Sequence, residues 1–224
     1  GFNSESGDIV LASASPRRRE LLTQAGVNFR IQVSHVDEAL SSKEKKNPHD
    51  AVCTLALRKA QAVAQVLIDQ GLSRDTVVIG SDTMVVYQNE IFGKPASEDE
   101  AFKTLRTLSG NTHEVLTAVA LIRMAPCNSE TSPLCVSTDN QSSRSSLDHC
   151  VLLDESRVHF RDLSDEEIGA YIRGGEPFGK AGAYAVQGAG KSFVTKIDGS
   201  RDTVIGLPVH RLLQEFPNLG GHLM

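Results

Sequence analysis

Three consecutive arginines, Arg17, Arg18 and Arg19, stand in the stretch LASASPRRRELL, directly after residues that start helices. Ser15 is a natural N-cap and Pro16 suits the first helical position, so the arginines fall in the first turn. That end of a helix is its positive pole, where an exposed cation is unfavourable by about 0.3–1 kcal/mol. An anion bound among the arginines would remove this conflict. The alternative is a solvated basic face on an ordinary capped helix.

Acidic and basic residues elsewhere could complete a site for phosphate chemistry. Glu38 lies in a polar loop and Asp82 follows a buried apolar run, and the two carboxylates could share a divalent cation, Mg²⁺ or Mn²⁺. Lys59 and Lys94, with the first two arginines, could neutralise a polyphosphate. Each residue alone also fits a simpler role as a turn residue, a solvated helix lysine or a loop charge, and spacing does not decide.

The glycine-rich sequence GAGKS, residues 188–192, resembles the end of a phosphate-binding P-loop. The motif requires a leading glycine at residue 185, which is alanine, and Lys191 opens a predicted strand where a P-loop would open a helix. The sequence therefore argues against a P-loop.

Composition limits the partners of the chain. With 23 basic and 28 acidic residues among 224, the formal net charge is −5, which argues against a nucleic-acid polymer or an anionic membrane as partner. No purely apolar stretch approaches about 18 residues, and the first residues lack the pattern of a signal peptide. We expect a soluble cytoplasmic protein. The four cysteines show no CxxC spacing, so neither a zinc site nor a disulfide framework is indicated.

Interspersed strands and helices must position the candidate residues. Strands are predicted at 8–13, 28–34, 76–79, 84–87, 91–92, 114–122, 157–162 and 192–197. Helices are predicted at 16–26, 48–70, 97–110, 164–173 and 207–216. The polar residues 125–150 are interpreted as an insertion, either an extended hairpin connection or a disordered loop.

This order of elements predicts an α/β protein with a mixed central β-sheet flanked by helices. Two lobes with a cleft between them would suit the chain length. The strands and helices together indicate a single domain over residues 8–217.

An ordered series of motifs resembles the Maf family of nucleotide pyrophosphatases. The motifs are LASASPRRRELL at 11–22, VDE at 36–38, LALRKA at 55–60, IGSDTMV at 79–85, GKP at 93–95, LSGNTHEVLTAVAL at 108–121 and GEPFGKAGAYAVQGAG at 175–190. The similarity runs from about residue 9 to residue 216, interrupted by the insertion.

The resemblance implies an elongated, two-lobed fold like that of the inosine triphosphate pyrophosphatases, with a central cleft. It also implies metal-dependent hydrolysis of a nucleoside triphosphate to the monophosphate and pyrophosphate in a house-cleaning role, often by a homodimer. A noncatalytic nucleotide-binding regulator of cell division is the alternative, because the family is linked to septum formation.

By motif, the resemblance makes Asp82 the proton acceptor and Glu38 the second acidic residue of a metal site. It assigns Lys59 and Lys94 to catalysis at the phosphates. The residues that it assigns to substrate binding are Ser13, Arg17, Arg18, Thr83 and Gln187. Members acting on dTTP and UTP carry an Arg, a Thr and a Gln at positions that correspond to Arg17, Thr83 and Gln187. A carboxamide matches the donor and acceptor edge of uracil or thymine, so a pyrimidine triphosphate is favoured, with modified pyrimidines as further candidates.

Overall fold

The computed structural model describes residues 7–126 and 148–220. In this part of the chain seven strands form one mixed sheet in the order β2, β1, β3, β5, β6, β7, with β4 paired to β3. The strands are β1 (Asp8–Leu11), β2 (Arg30–Ile31), β3 (Thr76–Tyr87), β4 (Glu90–Phe92), β5 (Thr112–Met124), β6 (Asp148–Phe160) and β7 (Val194–Asp198). The helices are α1 (Pro16–Gln24), α2 (Pro48–Gln70), α3 (Glu98–Leu108), α4 (Asp165–Arg173), α5 (Arg201–Ile205) and α6 (Val209–Glu215). The predicted mixed α/β class is confirmed.

Strand β3 differs from its prediction. It continues without a break from Thr76 to Tyr87, so Asp82 lies in the middle of a strand and not at a strand exit. Pairing explains the difference, because antiparallel β5 accompanies β3 from Thr76 to Val86, across the predicted break. The strands predicted at 84–87 and 91–92 pair as a hairpin, and its turn residues Gln88 and Asn89 have positive φ angles.

Several other boundaries also differ from their predictions. Strand β6 begins at Asp148, nine residues before the predicted start, so residues 148–150 belong to the sheet and not to an insertion. Residues 127–147, which hold most of that insertion, lie outside the described part. Strand β2 has only two residues, and α5 was not predicted.

Helix α2 packs along one face of the sheet. Its ends follow the sequence signals, with Asn47 as N-cap and Gly71 as C-cap. By length and composition α2 could cross a membrane, but ten of its residues are buried and pack with the sheet as in the core helix of a globular domain.

Gly80 allows α2 to approach β3 closely. A Cβ atom at this position would lie 2.5 Å from the Ala56 carbonyl oxygen and 2.7 Å from the Ala60 nitrogen. No larger residue fits there without moving the helix. The close approach places Lys59 of α2 beside Asp82, two residues beyond Gly80 on the same face of β3.

The opposite face of the sheet carries two separate apolar clusters. One includes Leu22, Ile79 and Leu212, and the other includes Leu105 and Ile168. Between them, on the same face, β3 and β5 present the polar side chains of Ser81, Thr83 and Thr117. The sheet is therefore apolar at both ends of this face and polar at its centre.

Candidate active site

A cleft opens beside the centre of β3, where the strand has a partner on one side only. Strand β1 pairs with Thr76–Ile79 and β4 pairs with Val85–Tyr87, and no described strand pairs with residues 80–84 on that edge. The cleft has a volume of about 600 Å³, which is typical of sites for small molecules. Every site residue predicted from the sequence lines it, namely Ser13, Arg17, Arg18, Glu38, Lys59, Asp82, Thr83, Lys94 and Gln187.

Charged side chains form a continuous series on the α2 side of the cleft. Lys59 Nζ lies 2.8 Å from Asp82 Oδ1 and 2.8 Å from Glu38 Oε1, and Lys94 Nζ lies 3.5 Å from Glu38 Oε2. The Lys59 and Asp82 side chains are each only 10% exposed, whereas that of Lys94 is 61% exposed. Two acids and two cations therefore alternate, with the inner pair buried and the outer pair open to solvent.

These contacts set the charge state of Glu38. Partial burial acts to raise its pKa, but the ammonium groups of Lys59 and Lys94 outweigh burial and hold the pKa below the usual value. Glu38 is therefore a carboxylate at neutral pH, so it can accept hydrogen bonds or bind a cation.

One carboxylate oxygen of Asp82 accepts a hydrogen bond from Lys59, and the other faces the cleft. Oδ1 accepts from Lys59, and in the described part of the chain Oδ2 accepts no hydrogen bond from the protein. Because Oδ2 is not fully buried, it can contact solvent in the cleft. The geometry suits a carboxylate that is fixed by one oxygen and holds a water with the other.

Arg18 lies on the other side of β3. Its Nε donates to the Gly206 carbonyl oxygen at 2.7 Å, and its Nη2 donates to Thr83 Oγ1 at 3.0 Å. Burial lowers its pKa and nearby Asp82 partly restores it, while the charge of Arg17 lowers it further. A guanidinium remains charged despite such shifts, so Arg18 is a half-buried cation at the wall of the cleft.

The three arginines have different environments. Ser15 caps α1 as predicted, accepting from the Arg18 backbone nitrogen at 3.3 Å. Arg17 and Arg18 are half-buried and line the cleft, and burial lowers the pKa of Arg17, whereas Arg19 is exposed. Two of the three arginines therefore face the cavity where an anion could bind.

The remaining predicted residues lie at the same cavity. Ser13 is buried and its hydroxyl oxygen accepts from the Ser15 backbone nitrogen at 3.1 Å. Gln187 is exposed at the wall formed by the glycine-rich segment. The structure thus brings all nine residues together, while their individual roles stay predictions.

The GKAGAY motif, residues 179–184, contributes to the cleft two side chains that were not predicted from the sequence. Lys180 lines it and donates from Nζ to the Glu176 carbonyl oxygen at 2.7 Å. Burial, and to a smaller extent the charge of Arg17, lowers the pKa of Lys180. Tyr184 also lines the cleft, and its hydroxyl lies 2.7 Å from Nε2 of the buried His113. Lys180 and Tyr184 belong to the motif at 175–190, so their presence in it could have indicated a place in the site.

The described residues contain no group of three or more His, Cys, Asp and Glu side chains placed to hold a metal. Glu38 and Asp82 nevertheless lie close together, since each has an oxygen 2.8 Å from Lys59 Nζ, which lies between them. Mg²⁺ is usually bound through one or two carboxylates together with substrate phosphates, so these are the two side chains that could hold it.

The GAGKS segment does not form a phosphate-binding loop. Residues Ala189–Phe193 make a short 3₁₀ turn that leads into β7, and Lys191 is exposed. The P-loop interpretation is excluded as the sequence indicated.

Comparison with known proteins gives one family match and several close relatives. The family model described as "Maf-like protein" matches residues 8–219. A Geobacillus protein named dTTP/UTP pyrophosphatase is 43% identical over 212 residues, covering 95% of this chain and 98% of the relative. A Lachnoclostridium phytofermentans protein of the same name is 41% identical over 95% of both chains.

Solved structures give weaker similarities. The Staphylococcus aureus Ham1 protein covers 94% of this chain and 97% of its own, at 13% identity and a TM-score of 0.42. A Mycobacterium abscessus nucleoside triphosphatase, titled dITP/XTP pyrophosphatase, covers 68% of this chain and 72% of its own, at 12% identity and a TM-score of 0.34.

Proposed function

The chain belongs to the Maf family, and from this premise we propose that it hydrolyses dTTP and UTP to the nucleoside monophosphate and pyrophosphate. Relatives that are 41–43% identical over nearly their whole length carry that name. The proposed role is house-cleaning of pyrimidine triphosphates, with modified pyrimidine nucleotides as further substrates.

One observation carries the proposal. The two acids and the four predicted basic residues, which are distant in sequence, line a single cleft, and Asp82 is fixed there by Lys59 at 2.8 Å. A pure binding site for a polyanion has no need for a buried carboxylate with a free oxygen. A hydrolase needs one to orient or deprotonate its water.

The side chains divide the reaction between them. Asp82 Oδ2 would hold the water that attacks the α-phosphorus and accept its proton. Arg17 and Arg18 would bind the nonbridging oxygens of the triphosphate, and Lys59 and Lys94 would stabilise the negative charge on the departing pyrophosphate. Positioning and charge stabilisation supply most of the catalysis in phosphoryl chemistry.

We further propose that Glu38 and Asp82 hold Mg²⁺ or Mn²⁺ together with the substrate phosphates. Bound there, the cation would offset negative charge on the phosphate oxygens. Titration with Mn²⁺, followed by electron paramagnetic resonance in the presence of inorganic pyrophosphate, tests the assignment. Glu38→Gln should weaken Mn²⁺ binding, and unchanged binding relative to the exposed Asp37→Asn would contradict it.

Gln187 is the proposed contact to the base. Its carboxamide can donate to one group and accept from another, which matches the carbonyl and N–H groups of uracil and thymine. Its exposed position at the wall of the cleft supports this role.

A panel of nucleoside triphosphates, with separation of the products, tests the function. We expect UMP and pyrophosphate from UTP, and dTMP and pyrophosphate from dTTP, with purine triphosphates cleaved more slowly. Tight binding of UTP with no product, with or without Mg²⁺, would contradict the enzyme and favour the noncatalytic regulator of cell division.

A cytoplasmic location and a homodimeric state complete the proposal. The first is supported by the need for access to the nucleotide pool and the second by the family resemblance. Cell fractionation and light scattering of the purified protein test them.

A further inference from the structure

A line of hydroxyl groups runs from the cleft to α5. Arg18 Nη2 donates to Thr83 Oγ1 at 3.0 Å, and Thr83 Oγ1 lies 2.9 Å from Thr117 Oγ1. Thr117 Oγ1 in turn donates to the Thr203 carbonyl oxygen at 2.7 Å. Thr117 and Thr203 are completely buried, so water does not compete for these bonds.

The direction of each hydrogen bond in this line follows from counting hydrogens. A threonine hydroxyl has one hydrogen, and a carbonyl oxygen can only accept. Thr117 therefore gives its hydrogen to Thr203 and can only accept from Thr83. Thr83 then gives its one hydrogen to Thr117 and can only accept from Arg18. The hydroxyl of Thr83 consequently has no hydrogen left to donate to a nucleotide.

A second acceptor holds the same guanidinium. Arg18 Nε donates to the Gly206 carbonyl oxygen at 2.7 Å, and the buried hydroxyl of Ser81 lies 3.2 Å from that oxygen. Gly206 follows α5 with φ of +136°, and a Cβ atom there would lie 3.4 Å from Arg18 Nε. Both bonds use the Nε and Nη2 edge of the guanidinium, which fixes its plane. In the part of the chain that the structure describes, Nη1 has no protein acceptor.

Helix α5 is itself anchored to the sheet. Thr203 Oγ1 donates to Asp154 Oδ2 at 2.5 Å, and Arg211 of α6 pairs with the other oxygen of Asp154 at 3.4 Å. Ser156 Oγ also donates to the Ser200 carbonyl oxygen at 2.8 Å. The carbonyl groups of Thr203 and Gly206 are therefore fixed points, and the orientation of Arg18 is set by them.

We propose that Thr117 is a positioning residue for substrate binding, which acts through Thr83 to aim the free Nη1 of Arg18 at a phosphate oxygen of the triphosphate. This inference rests on the proposed function, since it takes the triphosphate as the ligand. It makes Thr83 a second positioning residue that acts through Arg18, because its hydroxyl has no hydrogen to donate to the base.

Three variants test the role of Thr117. Thr117→Val keeps the shape but removes the hydroxyl, and we expect kcat/KM for UTP to fall about tenfold, the equivalent of one oriented hydrogen bond. Thr117→Ser keeps the hydroxyl and should stay within about twofold of the wild type. Thr76→Val is the matched control, since Thr76 is also a buried threonine of the sheet, and its hydroxyl donates to the Arg74 carbonyl oxygen far from the cleft.

Comparing Thr117→Val with Thr76→Val distinguishes a positioning role of Thr117 from a purely structural one. Thr76→Val should lower the melting temperature and leave kcat/KM unchanged, whereas Thr117→Val should lower both. A Thr117→Val enzyme with wild-type kcat/KM would overturn the proposal. If this variant does not fold, the half-exposed Thr83 carries the same test, with Thr83→Val against Thr83→Ser.

A double-mutant cycle gives a readout that structural damage alone does not move. Thr117 acts through Thr83, so adding Thr117→Val to Thr83→Val should cost little further kcat/KM. Losses that multiply would show that the two residues act independently and would overturn the proposal.

The same double-mutant cycle can be measured without turnover, from the affinity of each variant for inorganic pyrophosphate in calorimetry. If pyrophosphate binding shows coupling between the two substitutions but the wild-type protein cleaves no triphosphate, the proposed function alone is refuted. Turnover of UTP without coupling in either measurement would refute the positioning role alone.

Discussion

The two faces of β3 hold their polar groups in different ways at the cleft. On the α2 face, Asp82 is held by the Lys59 ammonium at 2.8 Å, within a series of alternating charges. On the opposite face, Thr83 lies in a series of neutral hydroxyl and carbonyl groups that ends at Arg18. Adjacent residues of one strand point to opposite faces, so a single strand serves both sets.

This difference separates the reacting group from the binding group. A charged partner fixes Asp82 through one oxygen and leaves the other oxygen for a water. Neutral partners fix the direction of Arg18 without cancelling its charge, so the full charge remains for the substrate. A carboxylate in place of Thr83 would hold Arg18 more strongly but would neutralise it.

The largest effect is expected on the charged face. Asp82→Asn should lower kcat for UTP by about 10³-fold, because loss of a general base costs 10²–10⁴-fold. The exposed Asp37→Asn is the control and should leave kcat unchanged. Steady-state release of pyrophosphate measures both, and an Asp82→Asn enzyme with wild-type kcat would remove Asp82 from the reaction.

The next effect is expected on the neutral face. Arg18→Lys keeps the charge but loses the planar guanidinium that reaches Gly206 and Thr83 together, and kcat/KM should fall by about 10–100-fold. Arg19→Lys, at the exposed neighbour, should change nothing. Equal effects of the two substitutions would mean that charge near the helix start matters and orientation does not.

A smaller effect is expected at the exposed end of the charged series. Lys94→Ala should lower kcat/KM severalfold and change the free energy of unfolding by less than about 1 kcal/mol, because the Lys94 side chain is 61% exposed. Lys103→Ala, at an exposed position on α3, is the control. Chemical denaturation and UTP kinetics measure the two quantities, and a large loss of stability would contradict the solvent-screened pairing.

The smallest effect on catalysis is expected at His113, on the same face as Thr83. Burial lowers the pKa of His113 from 6.5 to about 3, so its ring is neutral in the folded protein. The unfolded chain takes up a proton below pH 6.5, so stability from this group is complete above pH 6.5 and falls as the pH drops towards 3. Between pH 7 and pH 5 it should contribute a loss of about 2 kcal/mol.

Urea denaturation at the two pH values measures this loss. His113→Gln should lower stability at pH 7 but remove the His113 part of the pH dependence. An unchanged pH dependence would show that His113 does not titrate in this way.

The sequence predicted the helices better than the strands. Helix α2 was predicted to the residue because Asn47, Pro48 and Gly71 mark its ends locally. The sequence Gly80-Ser81-Asp82 looks like a strand end, but pairing with β5 continues the strand. The early start of β6 likewise depends on β5, since Asp148 pairs with Arg123.

The residues that form the site were predicted from the sequence, but the contacts between them were not. Motifs identified nine residues that line one cleft. They did not identify Thr117, because its contact with Thr83 depends on the register that places these two residues opposite each other on β3 and β5. Long-range register is a property of the folded sheet, and a single sequence with local signals does not contain it.

Hydrolysis of UTP in ¹⁸O-labelled water tests the central claim most directly, because the labelled product identifies the phosphorus that the water attacks. Attack at the α-phosphorus by a water on Asp82 places the label in UMP, with unlabelled pyrophosphate. Label in pyrophosphate or in free phosphate, with none in UMP, would contradict the account.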